Sequence, residues 1–315
     1  MNLPLAPIPL KKGGNLGIIA PAGRLLDAHR FESGVQVLRE MGFNAIYPRD
    51  LWPGTDYLAD SDENRGSEFN RLMANPEVNG LISLRGGYGC LRMLEKIDLA
   101  VVTNFPKMIV GFSDITLLQN YLYQNTGLIS LHGPVVTSLG TANSATLERL
   151  FLCLTGKWDE PLEVKKIEVL RDGPTLTAPL VGGNLASLTS LLGTQYDFPW
   201  DGKNVFLEDI NEPVYRVDRM LTQLSLAGKL KKITGLILGH FSGVYPDEGV
   251  QQTRYVESIW KRVLELCGDG GYPIWGDFPT GHHSHNLTLP LGAATQMQSG
   301  KPRLIFPTSR TRYVI

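Results

Sequence analysis

Cysteine is scarce in this chain. Only Cys90, Cys153 and Cys267 occur among 315 residues, and no two of them form a C-x-x-C pair. An odd, widely spaced set argues against a disulfide scaffold and fits reduced thiols in a cytoplasm, each serving as a small core side chain. Charge is also sparse: charged residues make up 19% and the net charge is −1. With no basic block and no interleaving of basic and aromatic residues, neither nucleic acid nor an anionic membrane is expected as a partner. No apolar run approaches the ~20 residues of a membrane span. The segment MNLPLAPIPLKKGG carries its lysines after its apolar residues, the reverse of a secretory signal, so none is expected. Any partner is then small.

What is present is hydrophobic material, 43% of the residues, enough for two ordinary domains. The first half alternates short apolar runs with amphipathic segments. Strands are expected at 15–20, 44–47, 81–84 and 108–110, with a further run at 128–131. Helices are expected over 26–41, over 62–74 with Asp62 as its cap, and over 91–97, 116–125 and 145–154. Strand and helix in turn imply a mostly parallel sheet covered on both faces, with ligands at the carboxyl ends of its strands. Gly156 closes this N-terminal α/β domain, residues 1–156. Residues 157–177, charged and proline-bearing, read as a linker. The second domain, 178–315, is expected to hold strands at 205–207 and 235–238, helices over 215–226 and 255–267, and short β-like runs at 288–291 and 303–306.

The apolar run Met108-Ile109-Val110 breaks at Gly111 and delivers Ser113-Asp114 where a helix begins. A serine on such a strand-to-helix turn projects its hydroxyl from the sheet, with main-chain N–H groups of the new helix facing whatever bonds to it. The match to the G-x-S-x-G elbow is incomplete, because Ile115 stands where the second glycine belongs, and a Ser-Asp helix cap explains the pattern as well. A second strand end carries Arg85-Gly86-Gly87-Tyr88-Gly89, whose glycines suit either a tight turn or an oxyanion or phosphate cradle. The G-x-G-x-x-G of a dinucleotide site is missing after the first strand, which runs into Ala20-Pro21-Ala22-Gly23, so nicotinamide binding is disfavoured.

Two later segments could serve the serine. Val205-Phe206-Leu207-Glu208-Asp209 ends in two carboxylates, with Glu212 close behind, and Gly281-His282-His283-Ser284-His285-Asn286 packs three of the six histidines together. A serine hydroxyl needs a histidine to take its proton, and the imidazole needs a carboxylate to fix its tautomer. The carboxylates could equally be a solvated strand end, and His282 with His285 has the H-x-x-H spacing of a metal site, although no clear further ligands accompany it.

Taken in order, RGGYG, GFSD, APLVGGNL, FLEDINEPVYRVDRML and GHHSHNLTLPLG resemble the LD-carboxypeptidase family of serine peptidases across nearly the whole chain. That family includes enzymes that remove the terminal D-alanine from murein tetrapeptides and peptidases that confer immunity to microcin C. The resemblance implies an N-terminal α/β sandwich and a C-terminal domain of mixed, barrel-like β structure, with the triad assembled across the cleft. It implies Ser113 as nucleophile, His282 as general base and Glu208 as its orienting partner. The N–H of Asp114 and one from Gly86 or Gly87 would form the oxyanion hole. Arg85 and Tyr88 would meet a small peptide substrate with a free terminal carboxylate, with Arg92 as a further candidate that reads more readily as structural. No metal or cofactor is implied, and a cytoplasmic homodimer is expected. One position departs from the family pattern: His283 stands where glycine follows the motif histidine, which leaves His283 as a competing base. An aminoacyl-nucleotide hydrolase of the microcin immunity type would need an aromatic residue to stack on a base, for which Trp200, Trp260 and Trp275 are available.

Overall fold

In the computed structural model, which describes residues 4–164, 166–243 and 249–307, strand and helix alternate from the first strand onward. The chain runs β1 (Asn15–Ile19), α1 (Ala28–Glu40), β2 (Asn44–Ile46), α2 (Asp62–Ala74), β3 (Gly80–Ser83) and α3 (Cys90–Met93). It continues through α4 (Leu99–Asn104), β4 (Met108–Gly111), α5 (Ile115–Thr126), β5 (Ser130–His132), α6 (Val136–Leu139) and α7 (Ser144–Leu154). Next are β6 (Leu162–Glu163), β7 (Glu168–Arg171), β8 (Ala178–Asn184), α8 (Leu185–Thr189), β9 (Asn204–Asp209) and α9 (Val214–Leu226). The last elements are β10 (Gly235–Phe241), α10 (Val250–Cys267), β11 (Ile274–Gly276), β12 (Leu289–Leu291), β13 (Ala294–Gln298) and β14 (Arg303–Ile305). Helix starts follow local capping chemistry. Asp27 accepts from Arg30 N–H at the head of α1, and Asn143 from Thr146 N–H at the head of α7. At α2 the cap is Ser61, whose hydroxyl accepts from Asn64 N–H, and not Asp62 as the sequence suggested. The Asp62 carboxylate pairs instead with Arg65 and Arg92.

The described residues form two compact units. One runs to Trp158 and takes back Ser284–Gly292; the other comprises Asp159–His283 and Ala293–Pro307. The first unit holds a six-stranded sheet of order β12-β5-β4-β3-β1-β2, parallel except where β12 pairs antiparallel with β5. All four residues of β3 and of β4 are buried, which is why both read as unbroken apolar runs. Chain order reverses between β1 and β3, and in open sheets of this kind ligands bind outside the carboxyl ends at such a switch point.

The second unit holds one eight-stranded mixed sheet of order β6-β14-β13-β8-β9-β10-β11-β7, with β8, β9, β10 and β11 parallel. Its outermost strands, β6 and β7, are joined through the short stretch from Glu163 to Glu168, which spans at most about 18 Å. A flat sheet of eight strands at ~4.8 Å spacing would set them roughly 34 Å apart. The sheet therefore curls until its edges approach, the barrel-like form. Residues expected to be a linker thus supply two edge strands, β6 and β7, and the run near 288–291 adds β12 to the first unit's sheet.

Candidate active site

Ser113 sits on the turn between β4 and α5 with φ +67°, in the left-handed region that serine rarely adopts. The turn closes immediately: Thr116 N–H donates to the Ser113 carbonyl at 2.9 Å and Leu117 N–H to that of Asp114 at 3.1 Å. Ile115, in place of the elbow's second glycine, turns its side chain over Gly111, where an added Cβ would come within 2.7 Å of Ile115 Cγ2. From α5, the buried Gln119 amide reaches back to the carbonyls of Gly111 (3.1 Å) and Leu131 (2.7 Å), clamping the ends of β4 and β5 beneath the serine. Asp114 does not cap its own helix. Its buried carboxylate accepts from Cys90 N–H at 2.8 Å, tying the serine turn to the glycine loop, and burial pushes its pKa up. A simple Ser-Asp cap therefore does not account for this turn.

The glycine loop approaches the serine directly. A Cβ on Gly86 would stand 2.7 Å from Ser113 Cβ and 2.8 Å from Oγ, so only glycine leaves the hydroxyl its space. Gly87 and Gly89 take φ of +116° and +138°. Among the described residues, the main-chain N–H groups of Gly87 and Asp114 donate to no acceptor. Arg85 donates to the carbonyls of Gly86 (3.2 Å) and Arg24 (3.3 Å), and burial followed by the charge of Arg30 lowers its pKa. Tyr88 is half exposed, its ring 5.8 Å from that of Tyr57. Arg92 is held by Asp62 and by the Tyr57 hydroxyl, a structural arrangement. These groups stand at the switch point between β1 and β3.

In the second unit, Glu208 is fully buried near the end of β9 and its Oε2 lies 2.7 Å from His282 Nδ1. Burial alone would lower the His282 pKa, but the charge and hydrogen bond of Glu208, with the charge of Asp209, raise it overall. Successive strand residues face opposite sides, and this separates the two carboxylates. Asp209 turns away to accept from Asn184 Nδ2 and Ala186 N–H, each at 2.9 Å. Its pKa is pushed up to about 6 by burial and then by the Glu208 charge. Glu212 pairs with Arg216 at 3.6 Å. Gly281 takes φ +112° and brings the backbone against Glu208. The His283 ring lies tilted against that of His240 with centroids 4.9 Å apart, and of the two adjacent histidines it is His282 that meets Glu208.

Ser113, Gly86, Gly87, Asp114, Arg85 and Tyr88 belong to the first unit, Glu208 and His282 to the second. Sequence reasoning missed Gln119, whose role depends on where α5 packs, and Arg65. The buried Arg65 guanidinium binds the carbonyls of Pro21 and Gly89 and so joins the ends of β1 and β3. Among the described residues no group of three or more His, Cys, Asp or Glu is arranged to hold a metal ion. No described helix is long and apolar enough to cross a membrane. Trp200 and Trp275 are core residues, and Trp260 lays its indole against Gly276.

Comparison with known proteins agrees with the motifs. Residues 16–133 match the LD-carboxypeptidase N-terminal domain and residues 177–297 the LD-carboxypeptidase C-terminal domain. The probable murein peptide carboxypeptidase of Bacillus subtilis is 32% identical over 306 residues, 95% of this chain and 93% of its own. The microcin C7 self-immunity protein MccF of Escherichia coli is 27% identical over 323 residues, 92% of each chain. The crystal structure of muramoyltetrapeptide carboxypeptidase from Oxalobacter formigenes superposes with a TM-score of 0.78 at 29% identity, covering 96% of this chain and 100% of that one.

Proposed function

The chain belongs to the LD-carboxypeptidase family of serine peptidases, and we propose that it removes the terminal D-alanine from the preceding L-residue of murein tetrapeptides. The reading places it in the cytoplasm, as a homodimer acting in peptidoglycan recycling. Ser113 Oγ attacks the carbonyl of the L-residue while His282 takes its proton, and the developing oxyanion is held by the N–H groups of Asp114 and of Gly86 or Gly87. Because Nδ1 of His282 faces Glu208, proton transfer falls to Nε2. Glu208 fixes the tautomer and stabilises the imidazolium. The proton returns to the leaving amine of D-alanine, and a water activated by the same histidine then hydrolyses the acyl-enzyme. Arg85, beside the glycine loop, takes the terminal carboxylate of the substrate, with Tyr88 against the peptide.

The observation that carries this reading is the left-handed Ser113 with Gly86 against its side chain. Such a backbone costs about 1–3 kcal/mol, and structures retain that strain mostly where function uses it. Ser113→Ala tests it: the variant should stay folded while kcat falls by roughly 10⁴–10⁶-fold. A fluorophosphonate should add its mass to the wild type at Ser113 and not to the variant. Retention of more than a tenth of the activity removes Ser113 from the mechanism.

MccF is named for self-immunity to microcin C7, so hydrolysis of an aminoacyl-nucleotide conjugate is the competing reading. Such a substrate calls for an aromatic wall to stack on its base. Trp200 and Trp275 are buried and Trp260 packs on Gly276, so the exposed rings beside the glycine loop are those of Tyr57 and Tyr88.

A further inference from the structure

Asp209 follows Glu208 on β9 and is nearly as buried, 3% exposed against 0%. Two carboxylates side by side in a protein interior repel each other, and the burial of each charge adds to the cost. The Asp209 carboxylate accepts from neutral donors only: Asn184 Nδ2, Ala186 N–H and Ile210 N–H, each at 2.9 Å.

Helix capping does not account for this arrangement. Asn184 already caps α8, its Oδ1 accepting from Ser187 N–H at 3.0 Å, and an uncharged oxygen would satisfy Ala186 N–H as well. What the carboxylate adds is a tie and a charge. Its two oxygens bridge from the last residue of β9 to Asn184, the last residue of β8, and to the first turn of α8. Asn184 is the register partner of Glu208. On the β10 side, Ser242 N–H donates to the Asp209 carbonyl at 3.1 Å. The end of β9 is therefore fixed from both neighbouring strands, and Glu208 with it.

The charge is felt at His282, whose pKa it raises alongside Glu208. While the imidazole is neutral, Asp209 has no cation bonded to it; when the histidine takes a proton, positive charge appears within its field. A negative field set in place before that charge develops stabilises the transition state over the ground state. The other ionisable groups around Asp209 do not supply the missing charge. The Tyr255 hydroxyl, from α10, is kept neutral by burial and by the charges of Asp209 and Glu212, and Glu212 is paired with Arg216 at 3.6 Å.

We propose that Asp209 is a positioning residue of the reaction: it fixes the end of β9 so that Glu208 meets His282 Nδ1, and its charge favours the imidazolium that forms during proton transfer. The inference rests on the carboxypeptidase reading above.

The test is Asp209→Asn, which keeps the shape of the side chain and removes its charge. Three readouts are taken: a melting curve, kcat and KM against pH for a tetrapeptide ending in diaminopimelate followed by D-alanine, and an NMR titration of the His282 imidazole in histidine-labelled protein. The resonance is assigned by its absence from His282→Gln. In the wild type the imidazole should titrate above the ordinary histidine value of about 6.5. In Asp209→Asn its midpoint and the acid limb of kcat/KM should move together to lower pH, and kcat should fall roughly tenfold or more with KM nearly unchanged. A lower melting temperature with the His282 midpoint and kcat unmoved overturns the inference. If Asp209→Asn does not fold, the wild type decides. Burial and the Glu208 charge push the Asp209 carboxyl to about 6, so Asp209 and His282 should show the two-step curves of a coupled pair, and independent single steps overturn the inference. Failure of the wild type to cleave the peptide overturns the carboxypeptidase reading, while the NMR titration, which needs no turnover, still decides for or against Asp209.

Discussion

A methyl group on Gly281 would stand 2.7 Å from Oε2 of Glu208, the oxygen that meets Nδ1 of His282 at 2.7 Å. The absence of a side chain at Gly281 is thus what lets the next residue bring its imidazole onto a fully buried carboxylate. Gly281→Ala should displace His282 and also force an L side chain into φ +112°. A misplacement near 1 Å costs about 10²-fold in rate, so kcat should drop by that order with a modest loss of melting temperature. Unchanged kcat would mean that the Glu208–His282 geometry does not matter to turnover.

The pH profile follows from the sign of one shift. His282 works as a base only when neutral, and its pKa is raised because Glu208 and Asp209 together outweigh burial. The value of kcat/KM should therefore fall as pH drops through a point on the alkaline side of the ordinary histidine value of about 6.5. Glu208→Gln keeps the burial and removes the charge, so the acid limb should move to lower pH while the plateau falls by roughly 10²–10⁴-fold. Rates measured from about pH 5 to pH 9 would show this; an acid limb that does not move in Glu208→Gln contradicts the assignment of the orienting carboxylate.

Gly86→Ala separates sterics at the nucleophile from backbone strain, because Gly86 is not among the positive-φ residues while its Cβ would press on Ser113 Cβ and Oγ. The protein should fold, and kcat should fall by about 10²-fold, the cost of moving the nucleophile by near 1 Å, since alanine keeps the main-chain N–H. Wild-type kcat in a folded Gly86→Ala would exclude this loop from the reaction.

Much of the first unit was legible because its strands are buried on both faces and read as apolar runs, with Gly111 marking where β4 must turn. The short helices α4 and α6 carry too few turns for a 3.6-residue period to register. Strands β6 and β7 escaped notice because edge strands bury little, and Glu168 and Val169 are exposed. The pairing of β12 with β5 joins positions about 160 residues apart, a relation no local pattern encodes. The strand-turn-helix setting of Ser113 was legible, but its left-handed backbone was not. Spacing alone left Glu208 and Asp209, and His282 and His283, as alternatives, and only the family resemblance put Glu208 and His282 first. That Glu208 and not Asp209 meets His282 follows from strand alternation along β9, and the His283 ring lies against that of His240 instead.

The central claim is that Ser113, His282 and Glu208 release a terminal D-amino acid from an L-residue. The most direct measurement follows free alanine by mass spectrometry after incubation of the purified protein with three peptides. These are a tetrapeptide ending in L-Lys or diaminopimelate followed by D-Ala, the matching pentapeptide ending in D-Ala-D-Ala, and an all-L tetrapeptide. The account predicts one alanine from the first and none from the other two, because the added residue displaces the carboxylate from Arg85 and the inverted centre turns its methyl into the wall, leaving polar groups unpaired. Equal release from all three, or release from none, would contradict it.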